Sequence, residues 1–215
     1  EPTKEGYTFS GWSEVPATMP AKDISVVGSF SVNSYNATFV IDGEVYKTVP
    51  VNYGEAITLP EEPSKEGHTF GGWSEIPETM PAQDVVIEGS FVVNSYNLIY
   101  IVDDEEYKRE SVAYGTAITL LEEPTKEGYT FSGWSEIPST MPAYDVTVIG
   151  SFSVNSYNVI FLVDNALYTM QSVKYGEAIE LPEPPQKEGF VFDGWDGLPE
   201  SMPAKDIVLI AIFTD

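Results

Sequence analysis

Tyr35, Ala37, Phe39 and Ile41 alternate with Asn36, Thr38 and Val40, a period of two that predicts a strand with one face on a core. Asp42-Gly43 follows, and Asp-Gly after an alternating run predicts a tight hairpin. The return strand is expected over about 44–53, with Pro50 marking an edge or a bulge. Gly54, Pro60, Pro63 and Gly67 then punctuate the chain; Ile57 and Leu59 are expected to dip into the core, and Glu61-Glu62 to lie in a solvated loop. Residues 68–73, HTFGGW, predict a short third strand. SEIPETMPAQD holds two prolines, too many for a regular helix beyond one turn. Val85, Ile87, Gly89, Phe91 and Val93 alternate as a last strand. The expectation is four strands, one hairpin and no regular helix.

The same pattern returns along the chain. Trp12, Trp73, Trp134 and Trp195 are spaced by 61 residues, and so are Met19, Met80, Met141 and Met202. Gly6, Gly67, Gly128 and Gly189 keep the step, as do Tyr53, Tyr114 and Tyr175, each followed by Gly. A fixed period of this size predicts tandem units, each one supersecondary module. With a unit opening at the Tyr of NSYN, the expected divisions are a partial C-terminal half at 1–31 and full repeats at 32–92, 93–153 and 154–215. Phe213 then closes the last unit at its final strand. Later hairpins place Asp103-Asp104 and Asp164-Asn165 where Asp42-Gly43 stands, residues that also tolerate left-handed backbone. Between units the chain reads FVVNSY with no Gly or Pro spacer, so neighbouring units are expected at a restricted angle. Residues 1–31 lack the hairpin and are expected to fray, pack on the neighbour or pair with another molecule.

Charge narrows the partners. The chain carries 34 acids against 10 bases, a net −24, and the acids are spread over all the repeats. Such a chain repels nucleic acid and anionic membranes. Its aromatic and branched content is too high for disorder on grounds of charge. There is no cysteine, which excludes a disulfide framework and Cys-based zinc sites. No apolar run of about 18 residues occurs, so no membrane insertion is expected.

Each recurring residue admits a structural and a functional reading. The tryptophans could offer sugar-stacking platforms or fill the core. A unit of about 60 residues without disulfide or metal can ill spare its largest apolar side chain, so core is preferred. The flexible Met19, Met80, Met141 and Met202 join that expected core. So do Phe9, Phe70, Phe131 and Phe192, and the last-strand Phe91, Phe152 and Phe213. His68 is the lone histidine, and its siblings are Tyr7, Tyr129 and Phe190, which marks a packing slot. Ser10 and Ser132 have no base in their own unit, so no catalytic residue and no cofactor are expected. Asp23, Asp84, Asp145 and Asp206 could cap a turn or ligate calcium. No D-x-D-x-D-G series accompanies them, so no metal site is assigned.

YNATFVIDGEVY, VNYGEAITLP, KEGYTFSGW and MPAKDISVVGSF, recurring in that order, resemble the Listeria–Bacteroides repeat, the B-repeat of internalin-type bacterial surface proteins. The resemblance covers essentially the whole chain. It implies a small β-grasp-like fold (mainly β, with an α+β element by family), export to the bacterial cell surface, and no enzymatic activity. Basic relatives are associated with glycosaminoglycans, which a net −24 does not suit.

The expected role is a monomeric, semi-rigid spacer of three units in an extended array, reaching roughly 80 Å by the compact-domain size rule. The alternative is an adhesin-type module that engages a host protein or glycan. A third reading is self-association as a dimer through residues 1–31. Hairpin exteriors vary (Glu44-Val45, Glu105-Glu106, Ala166-Leu167), which favours the spacer. Lys-Glu-Gly recurs in all four copies, at 4–6, 65–67, 126–128 and 187–189, and could be an interaction patch or a turn with a local ion pair.

Overall fold

The computed structural model describes residues 1–215 and contains strands, turns and short loops with no helix. The α+β expectation is therefore corrected: the chain is all-β. Pro77 and Pro81 fall within one span of the crossover and deny it the backbone donors that a helix needs. Two compact units result, Glu1–Ser95 and Tyr96–Asp215.

In the first unit, β1 (Tyr7–Trp12) and β2 (Gly28–Val32) form a two-stranded antiparallel sheet. β3 (Ser34–Ile41), β4 (Glu44–Asn52), β5 (His68–Trp73) and β6 (Val85–Val93) form a four-stranded sheet in the order β4-β3-β6-β5. The first strand is central, antiparallel to β4 and parallel to β6. Its alternation sends Ala37 and Phe39 into the core, where they meet Val51, Met80 and Ile87. Ile57 packs against that cluster as expected, whereas Leu59 stays exposed at the surface.

The second unit holds two such sheets. β12 (Ser156–Val163), β13 (Ala166–Lys174), β14 (Val191–Asp196) and β15 (Ile207–Thr214) repeat the order as β13-β12-β15-β14. The other sheet is broken. β7 (Ser95–Val102), β8 (Glu105–Ala113) and β10 (Val146–Gly150) pair as β10-β7-β8, while β9 (Tyr129–Phe131) pairs separately with β11 (Phe152–Val154). The break lies at Ser151, whose N–H donates to the Ser132 hydroxyl at 3.1 Å instead of to a ladder carbonyl.

The hairpin tips have the left-handed backbone that a two-residue type I′ turn requires. Positive φ occurs at Asp42 and Gly43, at Asp103 and Asp104, and at Asp164 and Asn165. The first residue of the turn also acts at a distance: Asp42 Oδ1 accepts from the Phe91 N–H at 3.2 Å and Asp103 Oδ1 from the Phe152 N–H at 2.9 Å.

Phe and Trp of the F-x-G-W motif stand three apart, so a regular strand would send them to opposite faces. A β-bulge resolves this. The register shifts between Phe70 and Trp73 and between Phe192 and Gly194, and Gly72, Gly133 and Gly194 take positive φ there. Both rings then lie on the core face. Trp73 sits 5.0 Å from Phe39 and from Phe70, Trp134 lies 5.1 Å from Tyr100, and Trp195 lies 4.8 Å from Phe161. Trp195 is buried, and Trp73 and Trp134 are half-buried against their clusters. Phe70, Phe131 and Phe192 are half-buried against Phe91, Phe152 and Phe213. Met80, Met141 and Met202 are each only 1% exposed. Each methionine is fixed by two backbone bonds to the Tyr-Gly segment, for example Gly54 N–H to the Met80 carbonyl and Met80 N–H to the Glu55 carbonyl.

Residues 1–31 depart from the core expectation. Trp12 is 57% exposed and Met19 72% exposed, although Phe9 still packs edge-on to Trp12 and Phe30. No hairpin lies over this two-stranded sheet, and no Tyr-Gly segment brackets Met19, so neither side chain has a core to enter.

Candidate interface between repeats

Asn33 and Asn155 join one motif to the next, and each uses its backbone in both directions. The Asn33 N–H donates to the Gly6 carbonyl at 2.8 Å, and its own carbonyl accepts from the Tyr53 N–H at 2.9 Å. Asn155 does the same with Gly128 and Tyr175, both at 2.9 Å. The side chains complete the tie: Thr8 and Thr130 hydroxyls donate to the Asn33 and Asn155 amide oxygens at 2.6 and 2.7 Å. Asn94 shares the upstream half, accepting from Thr69 and donating to the Gly67 carbonyl.

An aromatic plug closes the joints at Asn33 and Asn155. Tyr53 meets Tyr7 edge-to-face at 5.9 Å, and Tyr175 meets Tyr129 at the same distance. The rings lie over Gly6 and Gly128, which have positive φ and no room for a Cβ beneath the tyrosine. Gly189, the sibling in the last copy, has nothing within reach.

The recurring lysines are also engaged. Lys65, Lys126 and Lys187 reach the turn aspartates Asp42, Asp103 and Asp164 at 3.6, 3.9 and 2.7 Å. They also lie near the faces of Phe91, Phe152 and Phe213, within 5.2 to 5.5 Å of the ring centroids. These are half-exposed pairs, worth no more than about 1 kcal/mol each. Their effect is to hold the loop that leads into β5, β9 and β14 against the hairpin tip.

Asp84, Asp145 and Asp206 accept from the backbone N–H of Asn36, Asn97 and Asn158 at 2.7 to 2.8 Å, capping the start of the central strand. Asp145 also takes the Asn97 side chain at 3.0 Å. These bonds, the side-chain one foremost, hold its carboxyl below the ordinary carboxylate range, helped by Arg109. No three acidic or histidine side chains converge as a metal site would require. Ser132 bonds to Ser151, and Ser10 to Ser31, with no base beside either. His68 is half-buried edge-on to Phe91, and its Nδ1 lies 2.8 Å from the Glu66 carbonyl.

The order of motifs that builds these joints matches a known family along most of the chain. The model of the Listeria-Bacteroides repeat domain matches residues 1–25, 35–85, 96–150 and 157–197. The chain belongs to this family. A Listeria-Bacteroides repeat chain of this kind is similar to parts of much longer proteins. It is 28% identical over 225 residues to a protein of Evansella cellulosilytica described as a Gly-rich membrane protein, covering 89% of this chain and 26% of the relative. It is 36% identical over 146 residues to Internalin H of Listeria monocytogenes, covering 57% of this chain and 26% of that protein. A second Evansella cellulosilytica protein, described as a membrane protein, is 26% identical over 193 residues, covering 80% of this chain and 29% of the relative. The chain thus spans little more than a quarter of the length of these relatives.

The core positions and the hairpin tips were visible as recurring residues. The joint was not. Asn33, Asn94 and Asn155 recur at the 61-residue step, and that recurrence in a linker was the available signal for a built contact.

Proposed function

We propose that this chain is a non-enzymatic segment of a bacterial cell-surface protein and acts as a semi-rigid spacer that presents other domains outside the cell. The joints at Asn33 and Asn155, each within one compact unit, carry the reading: an asparagine bonded on both sides and a tyrosine over a glycine leave little freedom for one motif to pivot on the next there. The repeats of the spacer are 32–92, 93–153 and 154–215, with 1–31 as a partial copy. The strand order, second-first-fourth-third, supports a β-grasp sheet whose crossover is extended rather than helical. The membrane-protein and internalin descriptions of the relatives support the surface location. A host protein or glycan grip finds less support, because Lys65, Lys126 and Lys187 of the recurrent Lys-Glu-Gly are paired within the chain and Gly6 and Gly128 are covered by tyrosine rings.

Small-angle scattering over a concentration series tests this. Deleting residues 93–153 is expected to shorten the largest dimension by about 25–30 Å, one unit by the compact-domain size rule, at constant monomer mass. An unchanged dimension contradicts the spacer, and a mass that doubles with concentration favours self-association through residues 1–31.

A further inference from the structure

We propose that the outer sheet face of residues 154–215 is a docking site for a cationic amphipathic helix of a partner protein. Three adjacent strands, β13, β12 and β15, present Leu167, Met170, Ile160, Leu162, Val208 and Ile210 on the side away from the core. The register places Ile160 between Met170 and Val208, and Leu162 between Leu167 and Ile210. Met170 is 57% and Val208 51% exposed. Contiguous apolar surface of this kind on a soluble sheet marks an interaction site.

Comparison with the sibling repeats isolates the feature. The six positions read Val45, Thr48, Thr38, Val40, Val86 and Glu88 in the first full repeat, and Glu106, Arg109, Ile99, Ile101, Thr147 and Ile149 in the second. Only residues 154–215 are apolar at all six. The neighbouring edge strand changes together with them. Asp193 and Asp196 are exposed on β14, where the siblings have Gly71 and Ser132, and Ser74 and Ser135. Asp196 stands directly opposite Ile210 in the ladder. An apolar strip has thus acquired an acidic border, which complements a helix with an apolar stripe flanked by Lys or Arg.

Size selects a helix over a second copy. Three strands span about 14 Å at the usual spacing, close to the about 10–12 Å diameter of one helix. Two copies would also oppose their own acidic borders. The proposal goes beyond the spacer role and stands or falls separately from it.

The test is titration of the isotope-labelled full chain with a synthetic 18-residue amphipathic helix of Leu and Lys, read by chemical-shift mapping and by sedimentation. Saturable shifts are expected at Leu162, Met170, Val208 and Ile210 and not at Val40, Thr48, Val86 and Glu88. Ile210→Glu places there the residue that the first repeat carries as Glu88, so the fold accepts it. It adds negative charge, which by electrostatics alone tightens binding of a cation. Docking on the apolar strip instead predicts about tenfold weaker binding. Asp193→Ser with Asp196→Ser is expected to weaken binding at low salt and flatten its salt dependence. Shifts spread over the acidic loops of all repeats, or tighter binding by Ile210→Glu, overturn the proposal. So does absence of binding, or a dimer that Ile210→Glu dissolves.

Discussion

The ring of Tyr175 occupies the space that a side chain at Gly128 would need, and Tyr53 stands in the same relation to Gly6. Gly189→Ala isolates the backbone part of this relationship, since Gly189 has a similar φ of 81° against 76° and an empty surrounding. It is expected to cost about 1–2 kcal/mol, the ordinary penalty of a left-handed alanine. Gly128→Ala adds the collision with Tyr175 and is expected to cost more. Urea denaturation followed at Trp134 and Trp195 checks this. Equal losses in the two variants would show that the plug contributes nothing.

Tyr100 takes the core place that Phe39 and Phe161 fill in the other sheets, and its hydroxyl is buried without a well-formed hydrogen bond. The Leu121 carbonyl is engaged by the Trp134 indole N–H at 3.1 Å. Burial accordingly raises the Tyr100 pKa. Tyr100→Phe is expected to stabilise by about 1 kcal/mol, the lower end of the cost of an unsatisfied buried group. A lower thermal midpoint for the variant would contradict this.

Gly89 lies under Phe70 and Trp73, where a Cβ would approach to 2.8 and 2.9 Å. The last sheet holds Ala211 at this place, and there the Phe192 and Trp195 rings stand 5.5 Å apart against 5.0 Å for Phe70 and Trp73. Gly89→Ala is therefore expected to be absorbed by spreading the rings. Overpacking costs about 1–3 kcal/mol and the stiffer backbone returns about 0.5–1 kcal/mol, leaving a loss of about 1 kcal/mol. An unfolded variant at 25 °C would show that the rings cannot move.

Asp145 predicts a pH dependence. Its folded pKa lies below the ordinary 3.8, first through the Asn97 side chain and then the Asn97 backbone. A depressed acid contributes stability that is present above its unfolded value and is lost as pH falls through the folded one. The wild-type chain is expected to lose more stability than Asp145→Asn on going from pH 6 toward and below this range. Parallel pH profiles would contradict the assignment.

The alternation of Ala37 and Phe39, the Asp-Gly turn and the 61-residue step make strands, hairpins and repeats legible in the sequence itself. What stayed hidden depends on single extra residues and on partners far along the chain. The period of two separates Phe70 from Trp73, and only the bulge at Gly72 reunites them. Asp84 read as a turn cap or a calcium ligand, and its partner is the Asn36 N–H, 48 residues earlier. Trp12 and Met19 carry the core motif and are expected in the core, although residues 1–31 already read as lacking the hairpin; with no hairpin over them both side chains stay exposed. Lys65 read as a patch or a turn pair, and the choice needed the position of Asp42 across the sheet.

Residual dipolar couplings of the full chain, measured for residues 96–153 and 156–215, test the joint most directly. The Asn155 bonds and the Tyr175 plug predict that one alignment tensor fits both repeats, and that Gly128→Ala separates them into two. Two independent tensors in the wild-type chain would mean that the repeats pivot freely, and the spacer would then be a flexible tether.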